Sequence, residues 1–290
     1  ILGSTGSIGS ASLKSLIKNK HFKIKLLTTN KNIKKIFKQA LSNNVKNVIV
    51  EDKIEYNKFK NKFRSNNIKL HLGINNIDKI LKKKVKYCIN AISGIHGLEP
   101  TLKVIPMTEN ILIANKESII CGWNIIKKKL KKYKTNFIPI DSEHFSIWSL
   151  IENYKLPNIK KIHITASGGP FLKYKINEFK RIKISDALKH PNWKMGKKIS
   201  IDSATMMNKV FEVIETNRIF NVDIKNISIL IHEKSYLHAV IEFNNGLIKF
   251  LAHEADMKIP IFNSLYYYSK KNYDEKKINL HYINNINLKK

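Results

Sequence analysis

The chain has 290 residues, 43% of them hydrophobic, and a formal net charge of +31 from 53 basic and 22 acidic side chains. That length and apolar content can fill two domain cores, which excludes a disordered chain. No apolar stretch approaches the roughly eighteen residues of a membrane span, and the N-terminus lacks the layout of a secretion signal, so no membrane partner is expected. Only Arg64, Arg181 and Arg218 are arginines, and the lysines are scattered over every segment. Phosphate and base-edge readers lean on the bidentate guanidinium, so nucleic acid is not expected as a partner. Cys88 and Cys121 sit in apolar settings without metal-like spacing and read as two reduced core thiols.

The first element in chain order is the opening stretch ILGSTGSIG, with Gly3, Gly6 and Gly9 between an apolar pair and a helix-like pattern. Such a turn lets backbone N–H groups approach a pyrophosphate, with the helix dipole favouring the negative charge. Ile1 already stands at the end of a strand, and residues are expected upstream of it. Phe22 to Leu27 then reads as a strand, and Ile33, Ile36, Phe37, Ala40 and Leu41 fall on one face of a helix. Val48–Val50, Ile68–Leu72, Tyr87–Asn90, Ile111–Ala114 and Asn136–Ile140 are further strands separated by helix-length segments. The alternation predicts a Rossmann-like, doubly wound parallel sheet over residues 1–141, a nucleotide-binding domain. After the second strand comes Thr28, Thr29, Asn30, Lys31, Asn32, with an ammonium where an NAD site places a carboxylate, which favours NADP.

Beyond Asp141 the pattern changes. Lys161–Ala166 and NISILIH are strands, AVIEFNNGLIKF is a hairpin with Asn245–Gly246 as its tight turn, and a helix is predicted from about Ala204 to Phe220. Residues 142–270 therefore read as an α+β catalytic domain with a mainly antiparallel sheet, and 271–290 as a linker or frayed end. Asp141 and Glu143 in PIDSEH lie at a strand's C-terminal edge and suit a hard divalent cation. Glu212 is a third carboxylate; on a helix, Asn208, Lys209 and Glu212 project from one side, while Met206, Val210 and Val213 are expected to pack on the other. Ser203 is a candidate N-cap of that helix, beside a phosphate receptor made of hydroxyl, amide and ammonium. Ser167 and the glycines after it form a second polar turn, and KHPNWKMGKK, with His190, Trp193 and Gly196, has the composition of a mobile cover.

Taken in order, GSTGSIG, ANKES, PIDSEH, SGGPF, KHPNWKMGKKISIDSATMMNK and HEADMKIP strongly resemble the 1-deoxy-D-xylulose 5-phosphate reductoisomerase family. The resemblance spans nearly the whole chain. It implies rearrangement and NADPH-dependent reduction of 1-deoxy-D-xylulose 5-phosphate to 2-C-methyl-D-erythritol 4-phosphate in non-mevalonate isoprenoid synthesis, with Mg2+ or Mn2+ required. It implies Asp141, Glu143 and Glu212 as metal ligands, and Ser167, Ser203, Asn208 and Lys209 around the substrate phosphate. Lys116 and Ser142 would contact substrate oxygens, and His190 and Trp193 would belong to a closing flap. Lys116, Glu143, Glu212 and His190 form the implied catalytic set. Thr5, Gly6, Ser7, Ile8, Asn30, Lys31, Asn32, Asn115, Glu117 and Gly196 would touch the cofactor. A homodimer in bacterial cytosol or a plastid interior is implied, as is a C-terminal helical domain that this sequence does not contain. Val210 stands where the family usually has glycine and Ala255 where it has proline, so a catalytically impaired NADPH- or phosphosugar-binding fragment is the alternative expectation.

Overall fold

Apolar runs short enough to be buried on both faces alternate with amphipathic segments through the first half of the chain, and this alternation sets its architecture. The computed structural model describes residues 1–17, 22–151, 158–193, 195–267, 286 and 288. Two units are formed, one by Ile1–Ile140 with Ser264–Tyr267 and one built on Asp141–Asn263. The predicted linker or frayed end at 271–290 lies outside the described residues, apart from Ile286 and Leu288.

The first unit runs α1 (Ser7–Ile17), β1 (Leu27–Thr29), α2 (Ile33–Ser42), β2 (Asn47–Val50), α3 (Lys53–Ser65), β3 (Lys69–Leu72), α4 (Ile77–Ile80), β4 (Val85–Asn90), α5 (Leu98–Val104), β5 (Thr108–Ile113), α6 (Lys116–Tyr133) and β6 (Asn136–Pro139). Strands β1-β2-β3 and β4-β5-β6 form two parallel sets. The opening residues join them. Leu2 bridges Asn90 in parallel, Leu2 N–H donates to Ile89 O, Thr28 N–H donates to Ile1 O, and Ser4 N–H donates to Thr28 O. Ile1–Ser4 therefore lies between β1 and β4, where the strand order of a doubly wound sheet reverses and ligands bind. The strand predicted at Phe22–Leu27 is displaced: regular pairing starts only at Leu27, because the chain meets β2 and the opening residues there. Ile33, Ile36 and Ala40 of α2 are buried as the periodicity requires.

The second unit comprises α7 (Ser142–Ile151), β7 (Ile159–Ala166), α8 (Ile184–Ala187), α9 (Lys197–Ala204), α10 (Met207–Phe220), β8 (Ile227–Ile231), β9 (Leu237–Phe243), β10 (Ile248–Ala252) and α11 (Lys258–Tyr266), whose last residues belong to the first unit. Its sheet has the order β10-β9-β7-β8, antiparallel except for the β7–β8 pair. Ile162, Ile164, Ala239, Ile241 and Phe243 on one sheet face pack with Ile147 and Ile151 of α7 and Phe220 of α10. The structure departs from the sequence reading at three places here. The single helix predicted over 204–220 is two helices, because Met206 takes a left-handed conformation (φ 60°) and its N–H closes the end of α9 on Ser203 O. Ser203 consequently lies inside α9 and is not the N-cap of α10. In the hairpin, Gly246 N–H donates to Phe243 O, so Asn244 and Asn245 are the central turn residues and Gly246 (φ 82°) is the left-handed residue after them. In the first unit, Cys88 is buried but Cys121 is exposed on the outer side of α6, so only one thiol belongs to a core.

Candidate functional site

In the first unit the sequence-predicted cofactor residues gather where the opening turn meets α1 and the ends of β1 and β5. Gly3 has φ 71°, and a Cβ there would stand 2.8 Å from Ala91 O; one on Gly9 would lie 2.6 Å from Ser4 Cα. Both positions require glycine, one for the turn and one for helix–strand contact, while Gly6 and Ser7 are left exposed at the start of α1. The turn is braced from below. Gly3 N–H donates to Thr28 Oγ1 at 2.9 Å, Thr5 and Thr29 hydroxyls meet at 2.7 Å, and Gln39 exchanges two hydrogen bonds with Ser4. Lys35 Nζ donates to Thr5 O at 2.7 Å. Thr5, Gly6, Ser7 and Ile8 thus form a rigid N–H-bearing rim, a shape that fits a dinucleotide pyrophosphate.

Asn30, Lys31 and Asn32 are exposed at the end of β1; Asn32 caps α2 through Lys35 N–H, and Lys31 Nζ is 3.8 Å from Asp52. Lys35 and Gln39, which the sequence analysis did not select, are the residues that tie α2 to the glycine turn. Their only sequence signal was position on the first helix after β1. Asn115 caps α6 through Ser118 N–H at 2.5 Å, and its Nδ2 donates to Ile92 O and to Gly94 O. Lys116 follows it, 8% exposed, with Glu117 next. An ammonium at a helix N-terminus opposes the helix dipole, so Lys116 does not stand there for the sake of the helix.

In the second unit three carboxylates from two segments converge. One oxygen from each of Asp141, Glu143 and Glu212 lies within 4.8 Å of the other two. Asp141 precedes α7 and accepts from Glu143 N–H at 3.2 Å; Glu212 projects from α10 and is 1% exposed. Lys209 Nζ is inserted between Glu143 and Glu212, hydrogen-bonded to both. Burial alone would lower the Lys209 pKa, but the two carboxylates outweigh it and hold the ammonium above the ordinary lysine range. Three carboxylates gathered at one point form a concentration of negative charge of the kind that a divalent cation is suited to meet. Asn208 Nδ2 donates to Glu212 Oε1 at 2.6 Å, while its Oδ1 is buried without a hydrogen-bond partner. The donor set is all oxygen, which fits a hard cation such as Mg2+.

The polar side of α10 is thus its buried side. Asn208, Lys209, Glu212, Glu215 and Thr216 are buried, whereas Val210 is 48% exposed, Met206 precedes the helix, and only Val213 packs on the core as expected. The inversion arises because α10 faces charged groups as well as the sheet. Val210 is thus exposed, whereas its neighbour Lys209 is buried. His144 was missed beyond its place in PIDSEH. Its Nε2 is 3.1 Å from both Glu212 O and Thr216 Oγ1, and its Nδ1 is 3.3 Å from Asp141 Oδ1, so one buried ring orients both segments of the cluster. Ser142 Oγ donates to Glu143 Oε2 at 2.5 Å.

Ser167 follows β7, with Gly169 N–H donating to its hydroxyl at 3.1 Å and His190 Nε2 at 3.1 Å. Burial, with the Lys209 cation, pushes His190 down to about 4, so the ring is neutral at pH 7. Trp193 lies edge-on to His238 at 6.0 Å, and His238 stacks on His253 at 3.7 Å. His238 had no signal beyond residue type, and His253 none beyond its place in HEADMKIP. Gly196 caps α9, accepting from Ser200, and Ser203 lies in the last turn of that helix.

Two family models match the chain, 1-deoxy-D-xylulose 5-phosphate reductoisomerase over residues 1–122 and the C-terminal domain of the same enzyme over 137–220. A reductoisomerase of that name from Pelagibacter ubique (strain HTCC1062) is 57% identical over 297 aligned positions, covering 100% of this chain and 76% of the relative. One from Clostridium tetani (strain Massachusetts / E88) is 39% identical, covering 97% and 74%. Among solved structures, DOX-P reductoisomerase in complex with NADPH, fosmidomycin and magnesium superposes with a TM-score of 0.91 at 30% identity over 99% of this chain and 74% of that one. The Zymomonas mobilis enzyme in complex with NADPH gives 0.89 at 29% identity, over 99% and 75%.

Proposed function

The chain belongs to the 1-deoxy-D-xylulose 5-phosphate reductoisomerase family, and from that premise we propose that the three-carboxylate cluster and the glycine turn are the metal and cofactor sites of its reaction. The protein is an NADP-dependent oxidoreductase that converts 1-deoxy-D-xylulose 5-phosphate to 2-C-methyl-D-erythritol 4-phosphate in isoprenoid precursor synthesis. The observation that carries the site assignment is the convergence of Asp141, Glu143 and Glu212 around one point.

Asp141, Glu143 and Glu212 would hold Mg2+, which relatives' crystals contain, and Mn2+, with the same preference for oxygen ligands, is proposed to serve there too. Once bound, the metal supplies Lewis acidity toward adjacent substrate oxygens and NADPH supplies hydride. This chain's residues do the rest. Lys116 and Ser142 orient substrate oxygens; Ser167, Ser203, Asn208 and Lys209 bind the phosphate, far enough from the reacting carbons to position them. Lys209, beside Asn208 on the buried polar side of α10, would offer its ammonium to a phosphate oxygen. His190, neutral and carrying its proton on Nε2, acts as a donor and not as a base, and with Trp193 covers the site and excludes water. Thr5, Gly6, Ser7, Ile8, Asn30, Lys31, Asn32, Asn115, Glu117 and Gly196 hold NADPH, the first four through the rim of the turn.

No helix among the described residues is long and apolar enough to cross a membrane; the bacterial cytosol is proposed as the compartment because the relatives named are bacterial. A homodimer is proposed from the family resemblance, and a monomer mass in sedimentation would remove it. The reaction itself is tested by following NADPH absorbance with 1-deoxy-D-xylulose 5-phosphate and Mg2+. Oxidation that needs both is expected, and a folded preparation without turnover overturns the reading.

A further inference from the structure

The segment from His190 to Gly196 is tied to its unit at a point the reading above gives no role. The Asn192 carboxamide donates from Nδ2 to Glu233 O at 2.6 Å and to Ser235 Oγ at 2.8 Å, both in the turn between β8 and β9. On the inner side, the backbone N–H groups of Asn192 and Trp193 both donate to His190 Nδ1, at 3.2 and 3.0 Å. A ring nitrogen that accepts two N–H groups carries no proton, so in the neutral ring the proton sits on Nε2, which faces Ser167 Oγ.

We propose that Asn192 is a positioning residue: by latching this segment to the β8–β9 turn, it holds two backbone N–H groups against His190 Nδ1 and fixes His190 as a neutral Nε2–H donor aimed at the Ser167 turn. The proposal rests on the reading of His190 and Ser167 as contacts of a phosphate-bearing substrate. A doubly ionised phosphate offers only acceptors, so the opposite tautomer, with a lone pair on Nε2, would repel it. Lys209, whose charge faces His190, supports the same state by disfavouring a protonated ring. Asn192 is itself exposed and contributes nothing to a core, so its two outward hydrogen bonds are not there for packing.

The test uses the full chain labelled with 15N histidine, with His190→Gln identifying the His190 signals. In the unmodified protein the His190 spectrum should show a protonated Nε2 and a bare Nδ1. Asn192→Asp keeps the shape but cannot donate. It should give a mixture of tautomers, raise KM for the deoxyxylulose phosphate about tenfold as expected for a lost hydrogen bond, and leave KM for NADPH within about twofold. Ser235→Ala, which removes one of the two acceptors, should move the same quantities part of the way and covers the case in which the first variant fails to fold. An unchanged tautomer together with an unchanged KM in either folded variant overturns the latch. If His190→Gln itself leaves the substrate KM unaltered, the reading of His190 as a substrate contact falls instead; if it raises KM while Asn192→Asp and Ser235→Ala do not, only the latch falls.

Discussion

The glycine turn of the first unit and the carboxylate cluster of the second differ in what they are made of. The turn uses backbone N–H groups, braced by neutral neighbours such as Thr28, Thr29 and Gln39, with Gly6 and Ser7 open to solvent. The cluster uses side-chain charges, and Glu212, Lys209 and the imidazole of His144 are all nearly or fully buried. Backbone donors need no compensating charge in the empty state, whereas buried carboxylates do. Lys209 contributes to meeting that need through its pairs with Glu143 and Glu212, and because the cluster depends on charge contacts between distant segments it should be the more fragile region.

The largest expected effect breaks the cluster and spares the turn. Glu212→Gln should lower Mg2+-dependent turnover by about a hundredfold or more, the scale of losing one preorganised electrostatic group, with NADPH affinity by fluorescence titration unchanged; retained turnover would exclude Glu212 as a ligand. Lys209→Met removes the cation that bonds Glu143 and the buried Glu212. It should destabilise the chelator-treated protein by about 3–5 kcal/mol, and added Mg2+ should raise the melting temperature of this variant more than that of the unmodified protein. Equal metal shifts in the two would argue against a shared role for the ammonium and the ion.

Acid should separate the two regions next. Burial holds His238 at about 4 and His253 at about 3, with the His253 carbonyl, Lys209, Asp141 and His232 also acting on the first ring and His238, Glu254 and Asp256 on the second. The unfolded chain takes up these protons near pH 6.5 and the folded one only near 4 and below, so stability is full above about 6.5 and is lost as pH falls toward 4. Urea unfolding at pH 7, 5.5 and 4.5, read by the tryptophan signals of the second unit, should show that decline, and His253→Phe should flatten it. The smallest effect falls on the turn. Gly3→Ala forces a side chain into a left-handed conformation at a cost of about 1–2 kcal/mol before its contact with Ala91 O is counted. NADPH affinity should fall while Mg2+ binding, followed by calorimetry, holds.

The first unit was largely legible in the sequence because its instructions are local. Short strands of three to six residues, an amphipathic α2 and a glycine-spaced opening each act within one window of chain. Its errors were likewise small, such as β1 beginning at Leu27 where pairing begins. In the second unit, the acids could be picked from PIDSEH and SATMMNK, but the break at Met206, the exposure of Val210 and the role of His144 could not. Each depends on a partner distant in sequence: Met206 on where α9 ends, Val210 on which side of α10 meets charge, His144 on Glu212 and Thr216 some seventy positions away.

By itself, then, the sequence determined the alternating first unit, the glycines that its turn requires, and the chemical types able to hold a dinucleotide and a hard cation, since periodicity and backbone sterics operate within a few residues. Only the tertiary structure decided that three acids share one point, that Lys209 bonds two of them, and that His190 Nε2 faces the Ser167 hydroxyl. Those outcomes depend on burial and on electrostatic contact between segments far apart in the chain, and no local pattern encodes them.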